Sequence, residues 1–555
     1  MTDIEGVGRM LAMLREPVFA TRNATRNATR DAMRDGNRDA GQWRLAAGGR
    51  AGIGEAGGDA GTRSDENESS DSTARLPLMA FAPALTPAQL GDPTFASDHG
   101  VAFPYMTGAM ANGIASADLV EAGARAGLLS SFGAAGLPPR VVEENVDRLQ
   151  RNLGDVPFAV NLIHSPNEPA LEAAVVDLYL RKGVRLVEAS AYLDLTPHAV
   201  RYRVSGIHRD AAGRIVTPNR IIAKVSRIEV ATRWLSPPPE KLLRQLVDAG
   251  QITADEATLA ADVPMAQDLI AEADSGGHTD NRPAITLLPT MLALRDRVQP
   301  RYGDAFPLRV GAAGGIATPA SAAAAFAMGA AFVVTGSINQ ACVESGSSDG
   351  VRQMLADAEQ ADVIMAPAAD MFEMGVKLQV LKRGTMFAMR GARLYELYKA
   401  YPSLDAIPEK DRLTVEKTIF RMSLDDVWQA TESFFAERDP SQIEKARGDA
   451  RHKMALVFRW YLGLSSHWAN AGDASRQLDF QVWCGPAMGA FNEWTKATWL
   501  EPPAARRVAD VAGAILNGAA VATRAHILRS QGAPVPAMFA QPAPRSRDTM
   551  QDDLT

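Results

Sequence analysis

Two glycine-rich turns and one histidine turn are where this sequence carries the means for chemistry. The stretch Leu308 to Ser337, LRVGAAGGIATPASAAAAFAMGAAFVVTGS, reads as a strand, a Gly-Gly turn, a proline-started helix, a second strand and a Gly-Ser turn. Gly314 and Gly315 let backbone amides approach an anion with no Cβ in the way, while Gly336 and Ser337 add further amides and a hydroxyl. Read singly, each Gly pair is only a tight turn; two of them after consecutive strands suit a phosphate group. In DLIAEADSGGHT, Asp268 to Thr279, an apolar run ends in Asp274, Gly276, Gly277 and His278. Paired glycines admit a planar ligand against the backbone, and an imidazole gives or takes a proton near neutrality. A lone histidine is often structural; its place directly after Gly-Gly at a strand end favours function.

Three further positions belong with these turns. Phe103 to Gly113, FPYMTGAMANG, puts Gly108, Ala109 and Met110 at a strand end, where backbone groups of small residues can meet the edge of an isoalloxazine ring. Asn161 and Lys224 each place one polar side chain near the end of an apolar run. Lys224 suits either the anionic pyrimidine end of a reduced flavin or a salt bridge with Glu188. Phosphate turns, ring edge and cation together fit flavin mononucleotide (FMN).

The elements that must position these residues are short apolar runs alternating with helix-period stretches. Eight candidate strands lie near Phe103–Thr107, Gly127–Phe132, Pro157–Ile163, Val184–Ser190, Arg220–Val225, Gln267–Ala273, Leu308–Ala312 and Ala331–Thr335. Amphipathic stretches fall between them, among them Ala117–Gly127, Pro138–Asn152, Pro169–Lys182, Pro238–Ala249, Ile285–Val298 and Pro319–Met328. Eight such repeats over ~235 residues match an α/β TIM (β/α)8 barrel, and a doubly wound open sheet is the other topology they allow. Ile207 to Asn219 reads as a hairpin before the fifth strand, near its N-terminal rim.

Around this core, residues 1–75 read as a disordered low-complexity leader, 76–337 as the barrel, 338–531 as an additional C-terminal helical domain and 532–555 as a flexible tail. The leader repeats a four-residue Arg-Asn-Ala-type unit five times from Thr21 to Ala40, with sequons at Asn23 and Asn27 as by-products. Met1 to Leu14 suits a short docking helix ahead of it.

Composition sets outer limits. A formal charge of −7 speaks against binding nucleic acid, and two cysteines, Cys342 and Cys484, exclude a disulfide framework or a thiolate-rich metal site. No metal is expected. The apolar run Ala322 to Val334 is shorter than the roughly 20 residues that span a membrane, and no charged-then-apolar signal opens the chain, so a cytoplasmic protein is expected.

The barrel segment resembles the 2-nitropropane-dioxygenase-type flavoproteins, a group with nitronate monooxygenases and flavin-dependent enoyl-carrier-protein reductases. The shared features are the SGGH turn Ser275 to His278, the AAGGI loop Ala312 to Ile316 and the VTGS turn Val334 to Ser337. It resembles more closely the PfaD family, stand-alone enoyl reductases of polyunsaturated-fatty-acid and trans-acyltransferase polyketide synthases. That likeness rests on PYMTGAMANGIAS (Pro104 to Ser116), EADSGGHTDNRP (Glu272 to Pro283) and QVWCGPAMGAFNEW (Gln481 to Trp494), and runs from about residue 75 to 537.

The resemblance implies an FMN-binding barrel in which hydride passes from NADPH or NADH through FMN to the β-carbon of an α,β-unsaturated acyl thioester. It implies acyl carrier protein domains as partners, with His278 as the acid or as the hydrogen bond that orients the substrate. The cation-rich stretch Met374 to Lys399, with Lys377, Lys382, Arg383, Arg390 and Arg393, would either steer such an acidic partner or form a solvated helix face. The helical domain would serve carrier docking, homodimer formation or both. Three rivals stand beside this reading: a nitronate monooxygenase, a barrel dehydrogenase of the inosine-monophosphate type with a nucleophilic cysteine, and a catalytically idle scaffold.

Overall fold

The eight apolar runs form eight parallel strands: Tyr105–Thr107 (β1), Leu129–Phe132 (β2), Ala159–Ile163 (β3), Leu186–Ser190 (β4), Arg220–Val225 (β5), Asp268–Glu272 (β6), Arg309–Ala313 (β7) and Val333–Thr335 (β8). They pair in chain order and close on themselves through β8 and β1, the (β/α)8 barrel rather than an open sheet. The computed structural model describes residues 4–22, 43–47, 78–165 and 168–545; the repeat from Asn23 to Ala40, its sequons and the run Gly48 to Ser72 lie outside the described residues.

Sequence spacing explains the helices. In Pro139–Leu153 the buried residues Val142, Val146, Leu149 and Leu153 recur three or four apart, Pro139 opens the helix and Gly154 ends it. Pro169–Lys182 likewise starts at a proline and stops at a left-handed Gly183. Several helices lie outside the stretches named above, among them Pro197–Val204, between β4 and β5, capped by the Thr196 hydroxyl, and Ile228–Leu235 after β5. The expected hairpin follows Pro197–Val204, with His208–Arg209 against Ile215–Val216, directly before β5.

One end of the barrel is sealed. The helix Pro93–His99 places buried Phe95 in a stack on Phe332 at 4.1 Å, and Gly311 has no side chain because a Cβ there would meet the Phe332 ring at 2.5 Å. Asp268 and Arg309, the first residues of β6 and β7, pair at 2.6 Å, and His99 Nε2 lies 2.9 Å from the same carboxylate. Burial alone would raise the Asp268 carboxyl; Arg309 and His99 reverse this and hold it well below the ordinary carboxylate range. Chemistry is left to the opposite end, where the strands' C-termini lie.

The chain divides into two compact units, and the division corrects the expected domain boundaries. The larger holds Gly91–Ala317 and Met328–Ala512, so the barrel strands and most of the helical addition form one body. The addition is not wholly helical: Val363–Pro367 and Lys377–Leu381 are antiparallel strands. Its core, with Phe372, Leu394, Phe420, Phe458 and Tyr461, is buried. Asp479, fully buried, is met by Arg390, Arg421 and Arg476 and by the Tyr461 hydroxyl.

The smaller unit joins Met1–Leu90, Thr318–Ala327 and Gly513–Thr555. Here the expectation of a structureless leader and tail fails for the described residues. A helix Ile4–Ala12 and a three-stranded antiparallel sheet, Trp43–Ala47, Val18–Arg22 and Leu78–Ala82, form a core in which Val7, Leu11 and Val18 are buried with Val521, Ala525, Leu528 and Phe539. Val7 and Leu11 are thus core residues rather than a docking face. Arg524, fully buried, donates to the carbonyls of Leu11, Met13 and Glu16. The apolar residues of both termini are too few to bury themselves separately, and together they make one core. The helix Val508–Ser530 has the length and apolarity of a membrane span, and 83% of that window is buried inside the protein.

Candidate functional site

The loop after β6 carries the ionisable ring, and a strand from the helical addition holds it. Gly277 and His278 pair antiparallel with Lys377–Leu381, opposite Gln379 and Leu378. His278 Nε2 lies 3.1 Å from Asp370 Oδ1. Burial opposes a charged imidazole there; the hydrogen bond and charge of Asp370, helped by Glu272, outweigh it and raise His278 above its ordinary value. At 37% side-chain exposure the ring can still meet a ligand.

Much of the motif around His278 is used to build the loop. Gln379 donates from Nε2 to Asp274 Oδ1 and to the Ser275 carbonyl, both at 2.8 Å, and Asn281 Nδ2 donates to the same Asp274 oxygen at 2.8 Å. Asp274, expected at the cofactor, therefore has this oxygen committed to the loop. Gly276 corrects its expected role similarly. A Cβ there would meet the amides of Cys484 and Gly485 at 2.9 Å, so the missing side chain admits another backbone rather than a ligand. Gly485 N donates in turn to Ser337 Oγ at 3.0 Å, so the loops after β6 and β8 both close on the Cys484–Gly485 turn.

The phosphate turns separate into two kinds of glycine. Gly314, at φ +78, has its would-be Cβ 2.6 Å from the Ala273 carbonyl carbon, which makes it a packing position between the loops after β6 and β7. Gly315 and Gly336 have nothing within 4 Å of a would-be Cβ. Their backbones face open space, as an anion cradle requires. The Ser337 hydroxyl accepts from Gly485 and keeps its own proton to donate.

At β1, Gly108 N donates to the Thr335 carbonyl at 2.9 Å and Ala109 N to Glu188 Oε2 at 2.7 Å; the Met110 carbonyl accepts from Ala115 N. These groups are taken, against the expectation that they wait for a ring edge; what remains there is the other backbone polar groups of the turn. Asn161 is buried and donates to the Glu188 carbonyl and to Ser190 Oγ, both at 3.0 Å. It braces β3 against β4.

Lys224 forms the anticipated salt bridge and a second one: its Nζ lies 3.4 Å from Glu188 Oε1 and 3.6 Å from Glu272 Oε1. Burial disfavours the ammonium, but Glu272 and Glu188 more than compensate and hold it charged. Glu272 is raised by burial and by Glu188, against the pull of Lys224, and accepts from Ser275 Oγ at 3.2 Å. A fixed cation between two carboxylates thus stands at the ends of β4, β5 and β6. Among the described residues no group of three or more His, Cys, Asp or Glu is placed to hold a metal ion.

Residues 95–394 match the nitronate monooxygenase family, more than half of the chain. The chain belongs to this family. Residues 401–480 also match the inserted helical domain of acyl-carrier-protein S-malonyltransferase, so this nitronate monooxygenase-family barrel carries a helical addition with a likeness of its own. The chain is 51% identical over 452 residues to a polyunsaturated fatty acid synthase subunit of Thraustochytrium sp., covering 80% of this chain and 30% of that protein. It is 42% identical over 438 residues to the polyketide biosynthesis protein PksE of Bacillus subtilis, covering 79% and 57%. The crystal structure of the enoyl reductase domain of MlnA, from the macrolactin biosynthesis cluster of Bacillus amyloliquefaciens, matches with a TM-score of 0.75 at 38% identity, over 80% of this chain and 99% of that one. The chain thus spans less than two thirds of these curated relatives and nearly all of the MlnA domain. Within the nitronate monooxygenase family it stands in the PfaD-type branch.

Asp370, Gln379 and Asn281 hold the His278 loop and are not singled out by the sequence alone. Asn281 lies inside the quoted EADSGGHTDNRP motif, which is a usable signal. Asp370 and Gln379 lie 92 and 105 residues from their partners, His278 and Asp274, in segments without a motif.

Proposed function

We propose that the chain is a trans-acting, FMN-dependent enoyl reductase for α,β-unsaturated acyl thioesters on acyl carrier protein domains of a polyketide or polyunsaturated-fatty-acid synthase. The observation that carries this reading is the extent of the likeness to the MlnA enoyl reductase domain: it covers 99% of that domain and 80% of this chain, more than the barrel alone. The residues present fit FMN. Gly315 and Gly336 leave open backbone for its phosphate, Ser337 adds a hydroxyl, and Lys224 supplies a fixed cation for the pyrimidine end.

Bound FMN would supply hydride chemistry, taking hydride from NADPH or NADH and giving it to the β-carbon of the thioester. The chain's own task is the charge and proton that this leaves. As the β-carbon gains hydride, the thioester oxygen takes on enolate charge, and the α-carbon must receive a proton. His278, shifted toward its protonated form by Asp370, serves either by donating that proton or by hydrogen-bonding the oxygen. The two cysteines do not suit a dehydrogenase nucleophile: both are buried, and burial pushes the Cys484 thiol up to about 12.

A nitronate monooxygenase is the alternative, favoured by the match of residues 95–394. Anaerobic NADPH followed by a crotonyl thioester separates the two. Flavin bands that bleach and then return with the thioester support the reductase; return only with oxygen or a nitronate supports the monooxygenase, and a colourless protein refutes both.

A further inference from the structure

A cleft of about 480 Å³ opens beside the His278 loop, between the segment after β5, with Ser226, Arg227 and Ile228, and the start of the helix Ala284–Val298, with Arg282, Thr286 and Leu287. β5 and β6 are parallel neighbours, so the cleft lies by the strands' C-terminal ends, where the glycine turns also lie. Its two arginines are in different states. Arg227 meets Asp280 with both ends of its fork, at 2.8 and 2.9 Å, and Ser226 Oγ donates to the same carboxylate at 2.6 Å. Arg282 is exposed, and its guanidinium has no hydrogen-bond or ion-pair partner among the described residues, although its charge acts on Asp280 from a distance. Glu229 adds its charge on the Arg227 side. The cleft therefore offers one guanidinium with no hydrogen-bond partner, hydroxyl oxygens of Ser226 and Thr286 that can accept while their protons go to Asp280 and to the Pro283 carbonyl, and an apolar wall of Ile228 and Leu287.

We propose that this cleft holds the phosphate end of a phosphopantetheine-type ligand, with Arg282 as its cation. The inference rests on the thioester reading above and deepens it. A guanidinium with a free fork suits a phosphate, hydroxyls suit the amides of a pantetheine arm, and the apolar wall suits its methylene segments. Reach agrees: Arg282 is four residues from His278, so their Cα atoms are within about 14 Å of one another by chain length alone. That is shorter than an extended phosphopantetheine arm, whose thioester end must reach the proton donor. The phosphates of a nicotinamide dinucleotide share this chemistry, and the test separates the two sources.

The test uses the full-length flavin-loaded protein. Calorimetric titration with 4′-phosphopantetheine and with pantetheine needs no turnover, so it stands even if the reductase reading fails. Phosphopantetheine should bind more tightly, and Arg282→Glu should weaken it about tenfold more than it weakens pantetheine. Arg282→Lys should keep part of the preference, and Glu229→Gln should strengthen it. With turnover in hand, KM for crotonyl-4′-phosphopantetheine against crotonyl-pantetheine should give the same ratios. A rise in KM for NADPH alone assigns the phosphate subsite to the dinucleotide instead. If wild type shows no preference for the phosphorylated ligand, and Arg282→Glu moves neither thioester nor NADPH, the cleft is not a phosphate site.

Discussion

His278 Nε2 and Asp370 Oδ1 are 3.1 Å apart, although one residue lies in a barrel loop and the other beyond the eighth strand. The helical addition therefore completes the barrel's site: it supplies the carboxylate that orients the ring, the strand that pairs with it and the turn on which two barrel loops close. Acids from elsewhere in the chain also meet the cation-rich stretch noted in the sequence. Arg383 pairs with Glu359 and Asp362, Arg390 with Asp479, and Arg393 with Asp411, so much of its charge serves the fold rather than a free docking face.

Replacing Asp370 should move the pH profile. Asp370 raises His278, so the protonated ring persists above pH 6.5, and an acid-dependent rate falls as pH rises through that raised value. Any stability from the pair follows the same sign, full below the unfolded value and lost above the folded one. Asp370→Asn should shift the falling limb of kcat/KM to lower pH, while Asp370→Glu should keep part of the shift. An unmoved limb would show that Asp370 does not act through His278.

His278→Ala should slow turnover of a crotonyl thioester by roughly 10²–10⁴-fold, the usual contribution of a positioned acid. Flavin should stay bound, because the glycine turns are untouched. Full activity with flavin retained would remove His278 from the chemistry.

Gly336→Ala and Gly314→Ala should differ. The new methyl at 336 meets nothing within 4 Å, so the fold should survive within about 1 kcal/mol while flavin binding weakens. At 314 the methyl enters the Ala273 backbone from a positive-φ position, and stability should fall by about 1–3 kcal/mol or more. Thermal melts and flavin titration of the two variants check this; unchanged flavin affinity in Gly336→Ala would move the phosphate elsewhere.

Asp268→Asn should destabilise the barrel by about 1–3 kcal/mol at neutral pH, since it removes the carboxylate that Arg309 and His99 share while Asp98 still meets Arg309. The native carboxyl is depressed, so its contribution is present above the unfolded value of 3.8 and is lost as pH falls towards the folded one. Urea unfolding of wild type from pH 7 to 3 should show that loss, and the variant should show less of it.

The sequence by itself determined the eight strands, to within two residues at every end, and the two turns that hold Gly315 and Gly336, whereas the pairing of β8 with β1 decided for a closed barrel over an open sheet. The strands and turns are local: apolar runs, a period of 3.6, and proline and glycine at element ends each act within a few residues. The tertiary structure decided what depends on partners far along the chain. It gave Gly276 and Gly314 to backbone packing and committed Asp274 and Asn161 to hydrogen bonds inside the fold. It brought Asp370 to His278 and turned the two termini into one core. Composition could not foretell that core, because an apolar residue in a biased stretch is buried only when a distant segment supplies the other half of its contacts.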